Sequence, residues 1–511
     1  MRLRRTAGIR RAGVILLAVA TSSALLSAPM VSAQTSTQLG RAELSHATPP
    51  AAITGQATTG STAVPSNVRL VRIRTSLLGT HKWYRQIKDG HVVAGAWYAR
   101  HIDAAGNVTV WDGRKSVGKV AATTAQISRQ SASSTAAQAS DASAPQVNDA
   151  SLVVLPGSNG VGAARLAWAV STATGAGAAT TYVDATTGDV VKTVTWSKKA
   201  PAGADATTKG TGRVFDPNPV VALQDESLTD MGDSVEAVPA AGYRTVLLRR
   251  LDESHTLAGL WVRIANASRA GSPTDDYLFD RADNRFEQVN AYYAVDAQQA
   301  YLRSLGLTDV NAESEKVKVN AFATDNSYYD PSTDMISLGR GGVDDAEDAE
   351  VVWHEYGHAI QADQVLDFGW TRKARAIGEG FGDYMSVTMS QLSAADTAKT
   401  PTACVMDWDA TSYTTAKPHC LRRTDGDKTY PADLTGEEHR DGEIWSRALW
   451  DMNLRLSRDT TTTVIVEAQF WMNPKVGMPG AARITVSTAR ELYGDSVAVT
   501  TRRAFIRRGI L

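Results

Sequence analysis

The sequence predicts a multidomain α+β chain: a β-rich leader, a cuttable linker, then a unit with a β-rich half and a mainly helical half. Three observations point there. Apolar and polar residues alternate from about Val68. A run poor in large apolar groups, "SKKAPAGADATTKGTG", interrupts the chain over 197–212. Helical patterning dominates from about Glu347 to "TTRRAFIRRGIL" at the end. At 511 residues the chain exceeds what one core supports, so two or three domains are expected.

The first 33 residues carry Arg2, Arg4, Arg5, Arg10 and Arg11, then an apolar stretch, then Val31-Ser32-Ala33. That is the layout of a secretory signal peptide. A membrane anchor fits less well, because the apolar stretch is short for a span. The paired arginines leave general and twin-arginine export both open. No later segment is apolar enough to cross a bilayer, so the mature chain is expected to be soluble and extracellular.

Residues 34–67 are rich in Ala, Thr, Ser, Gln and Gly and read as flexible. Over 68–120, "HKWYRQIKDGHVVAGAWYARHIDAAGNVTVWDG" alternates, with turns at Asp89-Gly90 and Gly106-Asn107; a small antiparallel sheet is expected. Residues 121–150 are Ser/Ala/Gln-rich and read as a linker. A second strand-rich module follows over 151–196, with a turn at Thr187-Gly188. The break at 197–212 reads as a proteolysis site. Beyond it, 213–346 is strand-rich around one amphipathic helix, "NAYYAVDAQQAYLRSLG", and 347–511 is mainly helical.

Charge is nearly balanced, 53 basic against 54 acidic residues, so nothing global calls for a nucleic-acid partner. Cys404 and Cys420 are the only cysteines. In an oxidising compartment such a pair can close a loop worth roughly 3 kcal/mol; two free thiols are the alternative.

The chemistry-bearing stretch is "VVWHEYGHAI", residues 351–360. His354 and His358 are four apart, so on a helix both imidazoles reach one ion, with Glu355 beside it as a base. A hydrolytic zinc needs a third protein ligand and an open position for water. "AIGEGFGDYMS" offers Glu379 and, four residues on, Asp383. Glu379 can bind the metal while Asp383 holds the far nitrogen of a ligand histidine. Gly378, Gly380 and Gly382 suit a close backbone approach better than a plain surface helix. No third histidine follows at metzincin spacing, since Gln364 and Val365 stand there. For an oxyanion donor the later histidines are His419 and His439, of which His439, ahead of an amphipathic helix, is favoured.

"HEYGHAI", "GEGFGDY" and "HRDGEIW" together resemble the fungalysin and thermolysin group of secreted zinc metalloendopeptidases, the fungalysins more closely. The resemblance runs from about residue 68 to the C-terminus. It implies a thermolysin-like catalytic unit with one zinc on His354, His358 and Glu379. It also implies Glu355 as general base, Asp383 as support and His439 as transition-state donor. It makes "DNSYYDPSTDMISLG" a substrate-pairing edge strand contacted at Asn326 and Ser327, against the alternative of a covered edge. Arg422 resembles a substrate-carbonyl arginine, against a salt-bridged one. The leader resembles an FTP-like inhibitory propeptide followed by a PepSY-like module. Together these imply a monomeric zymogen that its own propeptide inhibits and that acts on proteins or peptides. The group's tyrosine between the histidines and the glutamate has no match; Gly369 and Trp370 occupy that region. The thermolysin calcium cluster after Glu379 is also absent. "GGVDDAEDAE" leaves a bound cation such as Ca2+ and a solvated acidic turn both open. A catalytically inactive binding protein on the same fold, or a secreted inhibitor or adhesion module, is the competing class.

Overall fold

A computed structural model describes residues 63–139, 146–157, 163–174, 177–195 and 208–511. The expected export signal, nearly all of the flexible segment after it, and residues 197–207 of the expected activation linker lie outside the described residues.

The leader is built on one sheet. Its strands are β1 Val68–Thr75, β2 Gly79–Lys88, β3 His91–Asp103, β4 Val108–Gly113, β5 Gln146–Leu155, β6 Arg165–Thr174, β7 Gly177–Asp184 and β8 Val190–Thr195. The order is β1-β2-β3-β5-β6-β7-β8, with β4 also on β3. Strand β3 changes partner along its length, pairing with β5 at Val92 and Val93 and with β4 from Trp97 to Ile102. Gly95, at φ +60°, is the bend between the two pairings. The two expected leader modules therefore share hydrogen bonds through β3 and β5. Within the segment read as a linker, α1 spans Arg129–Gln138, capped by Ser128, whose side chain accepts from Ser131 N. It packs Ala132 and Ala136 against Ala150, Val170 and Val183. Residues 208–212, read as linker, are strand: β9 Thr208–Val214 pairs with β10 Arg244–Leu251 and β12 Asp276–Tyr277.

In the following unit, β11 Val262–Ile264, β13 Glu315–Lys318, β15 Met335–Leu338 and β14 Ser327–Asp330 form a sheet in that order. β14 is one of its two edge strands and runs antiparallel to β15, whereas the other pairs are parallel. Short α2 (Pro219–Leu223) and long α3 (Phe286–Ser304) precede the helical half: α4 Ala349–Gln364, α5 Arg372–Ser390, α6 Glu438–Leu456, α7 Arg458–Gln469, α8 Met478–Tyr493 and α9 Asp495–Arg507. Between α5 and α6, β16 Cys404–Val405 pairs with β17 Arg422–Arg423, and Cys404 and Cys420 form a disulfide. Among the described residues no helix is long and apolar enough to cross a membrane.

The leader is docked on the helical half. Trp83, Trp97, Ala99 and Trp111 belong to the same buried apolar cluster as α3 to α9. Arg72 donates to the carbonyls of Ala362 and Asp363 at 2.6 and 2.8 Å, near the C-terminus of α4, where a cation suits the helix dipole. Arg74 binds Asp363 and Glu313, and Arg85 forms a two-pronged pair with Asp367. The buried Glu467 of α7 accepts from Ser76 Oγ at 2.7 Å and from the Leu77 and Leu78 N–H groups.

One hydrogen-bond chain continues from that carboxylate. Ser76 donates to Glu467 and accepts from His81 Nε2 at 2.9 Å. Neutral His81 then accepts at Nδ1 from His101 Nδ1, 2.7 Å away. His101 Nε2 is buried with no partner. His81 stacks on Phe470 and meets Trp471 edge-on, with ring centroids 5.0 and 4.9 Å away.

Candidate metal centre and cleft

Helices α4 and α5 cross with their glycines in contact, which brings the ionisable residues of both to one point. A Cβ on Gly382 would lie 2.6 Å from His354 Nδ1, and one on Gly380 would lie 2.4 Å from the Gly442 carbonyl of α6. The glycines are thus there for close approach, as the sequence implied. α4 starts on Asp348, whose side chain accepts from Glu350 N, and α5 on Thr371, which accepts from Ala374 N.

His354 and His358 share the α4 face expected from their spacing. The Glu379 carboxylate, from α5, faces both: its oxygens lie 3.2 Å from His354 Nε2 and 3.5 Å from His358 Nε2. Asp383 sits on the other side of His354, 3.0 Å from Nδ1. Arg422 of β17 clamps Asp383 with three contacts of 2.7 to 3.0 Å. Burial pushes Asp383 up, but Arg422 and the His354 hydrogen bond outweigh it and hold the carboxyl at about 2. It therefore stays ionised and keeps the His354 proton on Nδ1.

That tautomer leaves the Nε2 lone pair aimed at a carboxylate oxygen. Two acceptors at 3.2 Å need a proton or a metal cation between them. The pull shows in His354 itself: burial lowers it, yet hydrogen bonds to Asp383 and Glu379 raise it to about 9. Glu379 is driven up by burial and, more strongly, down by His358 and His354, ending well below the usual carboxylate range. A tetrahedral zinc with bonds of about 2.0–2.1 Å sets its ligand atoms roughly 3.3 Å apart. The observed 3.2 and 3.5 Å fit that donor set. Glu355 also offers an oxygen within 4.8 Å of the two histidines. Its Oε2 is buried and lacks a partner. Since Glu379 faces both Nε2 atoms, the geometry favours Glu379 as third ligand and leaves Glu355 free to act on a neighbouring molecule.

These groups lie in a cleft of about 340 Å³. Asn326, Ser327, Arg422 and His439 all line it, so every residue singled out in the sequence for chemistry or substrate contact, apart from the fully buried Asp383, reaches it. His439 is in the first turn of α6, half exposed, with Nε2 3.4 Å from Glu379. Glu437, the N-cap of α6, holds its Nδ1 at 2.6 Å. Glu437 was not singled out, although it stands only two residues before His439. His419 does not line the cleft; it pairs with Glu226 at 2.7 Å. Arg422 lines the cleft and is salt-bridged to Asp383. Asp345, from the acidic stretch "GGVDDAEDAE", lines the cleft too, as do Asp409, Tyr413 and Arg375, which had no sequence signal. Among the described residues no residue of the leader lines the cleft; the leader contacts the end of α4 through Arg72 and the edge strand β14 through β7, with Ser171 donating to Ser332.

No curated protein matches the chain. Solved structures similar to it include the precursor of protealysin, a metalloproteinase from Serratia proteamaculans. That likeness has 14% identity and a TM-score of 0.38, over 49% of this chain and 84% of that one. Another is the YpeB C-terminal domain of Bacillus megaterium, with 11% identity and a TM-score of 0.18, over 25% of this chain and 57% of that one. The model of the fungalysin metallopeptidases (M36) matches residues 275–506, which carry both histidines, Glu355, Glu379, Asp383, Arg422 and His439. Over those residues, a little under half of the chain, the sequence is similar to the fungalysin metallopeptidases.

Proposed function

We propose that the chain is an exported zymogen of a zinc endopeptidase. The observation that carries this is the convergence of His354 Nε2, His358 Nε2 and the Glu379 carboxylate beside the unpartnered Glu355 oxygen, at the wall of an open cleft. Those three residues would hold the zinc. When bound, zinc supplies Lewis acidity and lowers the pKa of a water toward neutrality.

The chain's own groups do the rest. Glu355 takes the proton from the attacking water and delivers it to the leaving amine nitrogen. His439, oriented by Glu437, donates from Nε2 to the carbonyl oxygen as charge builds on it. Asp383 keeps the His354 proton on Nδ1, and Arg422 keeps Asp383 charged. β14, at the sheet edge along the cleft, aligns an extended peptide through Asn326 and Ser327. The leader acts as intramolecular inhibitor, and cutting within 197–212, by the enzyme itself, frees the unit.

Replacing Glu355 with Ala tests this. The variant is expected to accumulate uncut, to keep its zinc and to lose about 10²–10⁴-fold in kcat/KM on a casein substrate. Processing and activity equal to wild type would overturn the proposal. So would a wild-type protein that holds one zinc per chain yet cuts nothing.

A further inference from the structure

We propose a second metal site, for a hard divalent cation of the calcium type, formed by Asp325, Asp345 and Asp409 in the wall of the cleft. One carboxylate oxygen from each lies within 4.8 Å of the others. They come from three separate pieces of chain. Asp325 precedes the edge strand β14, Asp345 opens the turn before the histidine helix α4, and Asp409 follows the disulfide-bearing β16.

The cluster differs from a solvated acidic face in its burial and its missing donors. Asp345 is 2% and Asp409 4% exposed, and Oδ1 of each has no hydrogen-bond partner. What donors exist are already placed: Ser327 Oγ on Asp345 Oδ2, and Tyr413 OH on Asp325 Oδ1 at 2.7 Å. No lysine or arginine pairs with any of the three among the described residues. Arg422, whose charge acts on Asp409, is committed to Asp383. Burial and its two acidic neighbours accordingly push Asp409 well above the usual carboxylate range. Buried ionised carboxylates without donors need a cation or a proton.

Oxygen donors without nitrogen or sulfur suit calcium, whose bonds of about 2.3–2.6 Å bridge groups spaced this way. The loop is shaped for close approach: a Cβ on Gly342, at φ +66°, would lie 2.3 Å from Asp325 Oδ2 and 2.5 Å from Ser412 Oγ. Asp345 and Asp409 also line the cleft, so an ion has a way in. Bound there, it would pin the edge strand, the start of α4 and the disulfide loop to one another. It would also screen Glu355 from the charge of Asp345.

The uncut Glu355→Ala chain allows a clean test. It is stripped of metal, reloaded with one equivalent of zinc, then titrated with CaCl2 or MgCl2 and read by calorimetry and unfolding midpoint. One calcium per chain and a higher midpoint are expected. Asp409→Asn in the same background should weaken calcium binding about ten-fold or more through loss of a charged ligand. It should also raise the midpoint without calcium, because repulsion is relieved. Asp325→Asn, at a less buried position, serves if Asp409→Asn does not fold. No calcium binding, or binding that neither variant weakens, would overturn the proposal. Magnesium binding alone would overturn the assignment to calcium. Zinc content and casein cleavage are separate readouts, so the peptidase reading can fail without this one.

Discussion

At the scale of single residues the centre depends on what is absent as much as on what is present. Alanine at a helix-interior glycine usually adds up to about 1 kcal/mol of helix stability. At Gly382 the new methyl would press on His354 Nδ1, the atom that Asp383 holds. Gly382→Ala is therefore expected to keep its helical circular dichroism but to lose zinc affinity by about 10–100-fold, the usual cost of disturbing such a support. Zinc per chain, measured by mass spectrometry of metal content, checks it. Asp383→Asn should lose zinc as well and should also destabilise by about 3–5 kcal/mol, because it strands the buried Arg422 guanidinium. A urea titration separates the two variants. His354, Glu355, His358, Glu379 and Asp383 were legible because i, i+4 spacing maps directly onto one helix face. Asp409 and Tyr413 were not, and Asp345 was noticed only as part of an acidic run, because loops far apart in sequence carry them to the cleft. Only folding reveals that such residues share a wall.

Among the elements, the leader's β2–β3 ribbon carries a titratable device. His81 and His101 are buried against Phe470 and Trp471, facing each other, Ser76 and, through it, Glu467. Burial holds His81 well below its ordinary value and His101 at about 3. Groups lowered on docking favour the docked state while neutral, so this contribution is full above about pH 6.5 and is lost as pH falls below that. Glu467 has the opposite sign. Burial lifts it to about 7 despite the donors around it, so it opposes docking above its ordinary range and stops doing so on protonation. Two imidazoles outweigh one carboxylate at acid pH, where Glu467 is already neutral. In a Glu355→Ala chain cut at an engineered site in 197–212, the leader should co-elute with the catalytic unit near pH 8 and dissociate near pH 5. His101→Phe should flatten that profile. Of the elements themselves, α1 escaped notice because its core face is alanine, too small for a clear apolar period. The start of β9 escaped because "TKGTG" has turn composition and is strand only through its pairing with β10.

For the whole molecule, the question is what keeps the cleft's third wall in place. The Cys404–Cys420 bridge closes a loop that carries Asp409 and adjoins Arg422. Replacing both cysteines with alanine should cost roughly 3 kcal/mol in a urea titration. The loss in catalysis should exceed what that stability change explains, because the wall and the Asp383 clamp loosen together. The division into a β-rich leader, a β half and a helical half was legible from periodicity alone. The joining of both leader modules into one sheet was not, since it rests on two parallel pairs at Val92 and Val93. Parallel pairing between distant strands leaves no local turn signal.

Trp370 lies at the seam between leader and catalytic unit. A leader glycine, Gly95, sits so close that a Cβ there would be 2.1 Å from the indole ring. Lys115 and Lys192 of the leader and Lys475 of the catalytic unit stand 5.5 to 5.9 Å from the ring centre. Departure of the leader removes the glycine cover and two of the three ammonium groups at once. The indole then faces water, and its emission should move to longer wavelength. With 12 tryptophans in the chain the signal has to be read as a difference against Trp370→Phe. Read that way, the protein carries its own optical report of maturation, on the time scale of release and without a cleavable substrate.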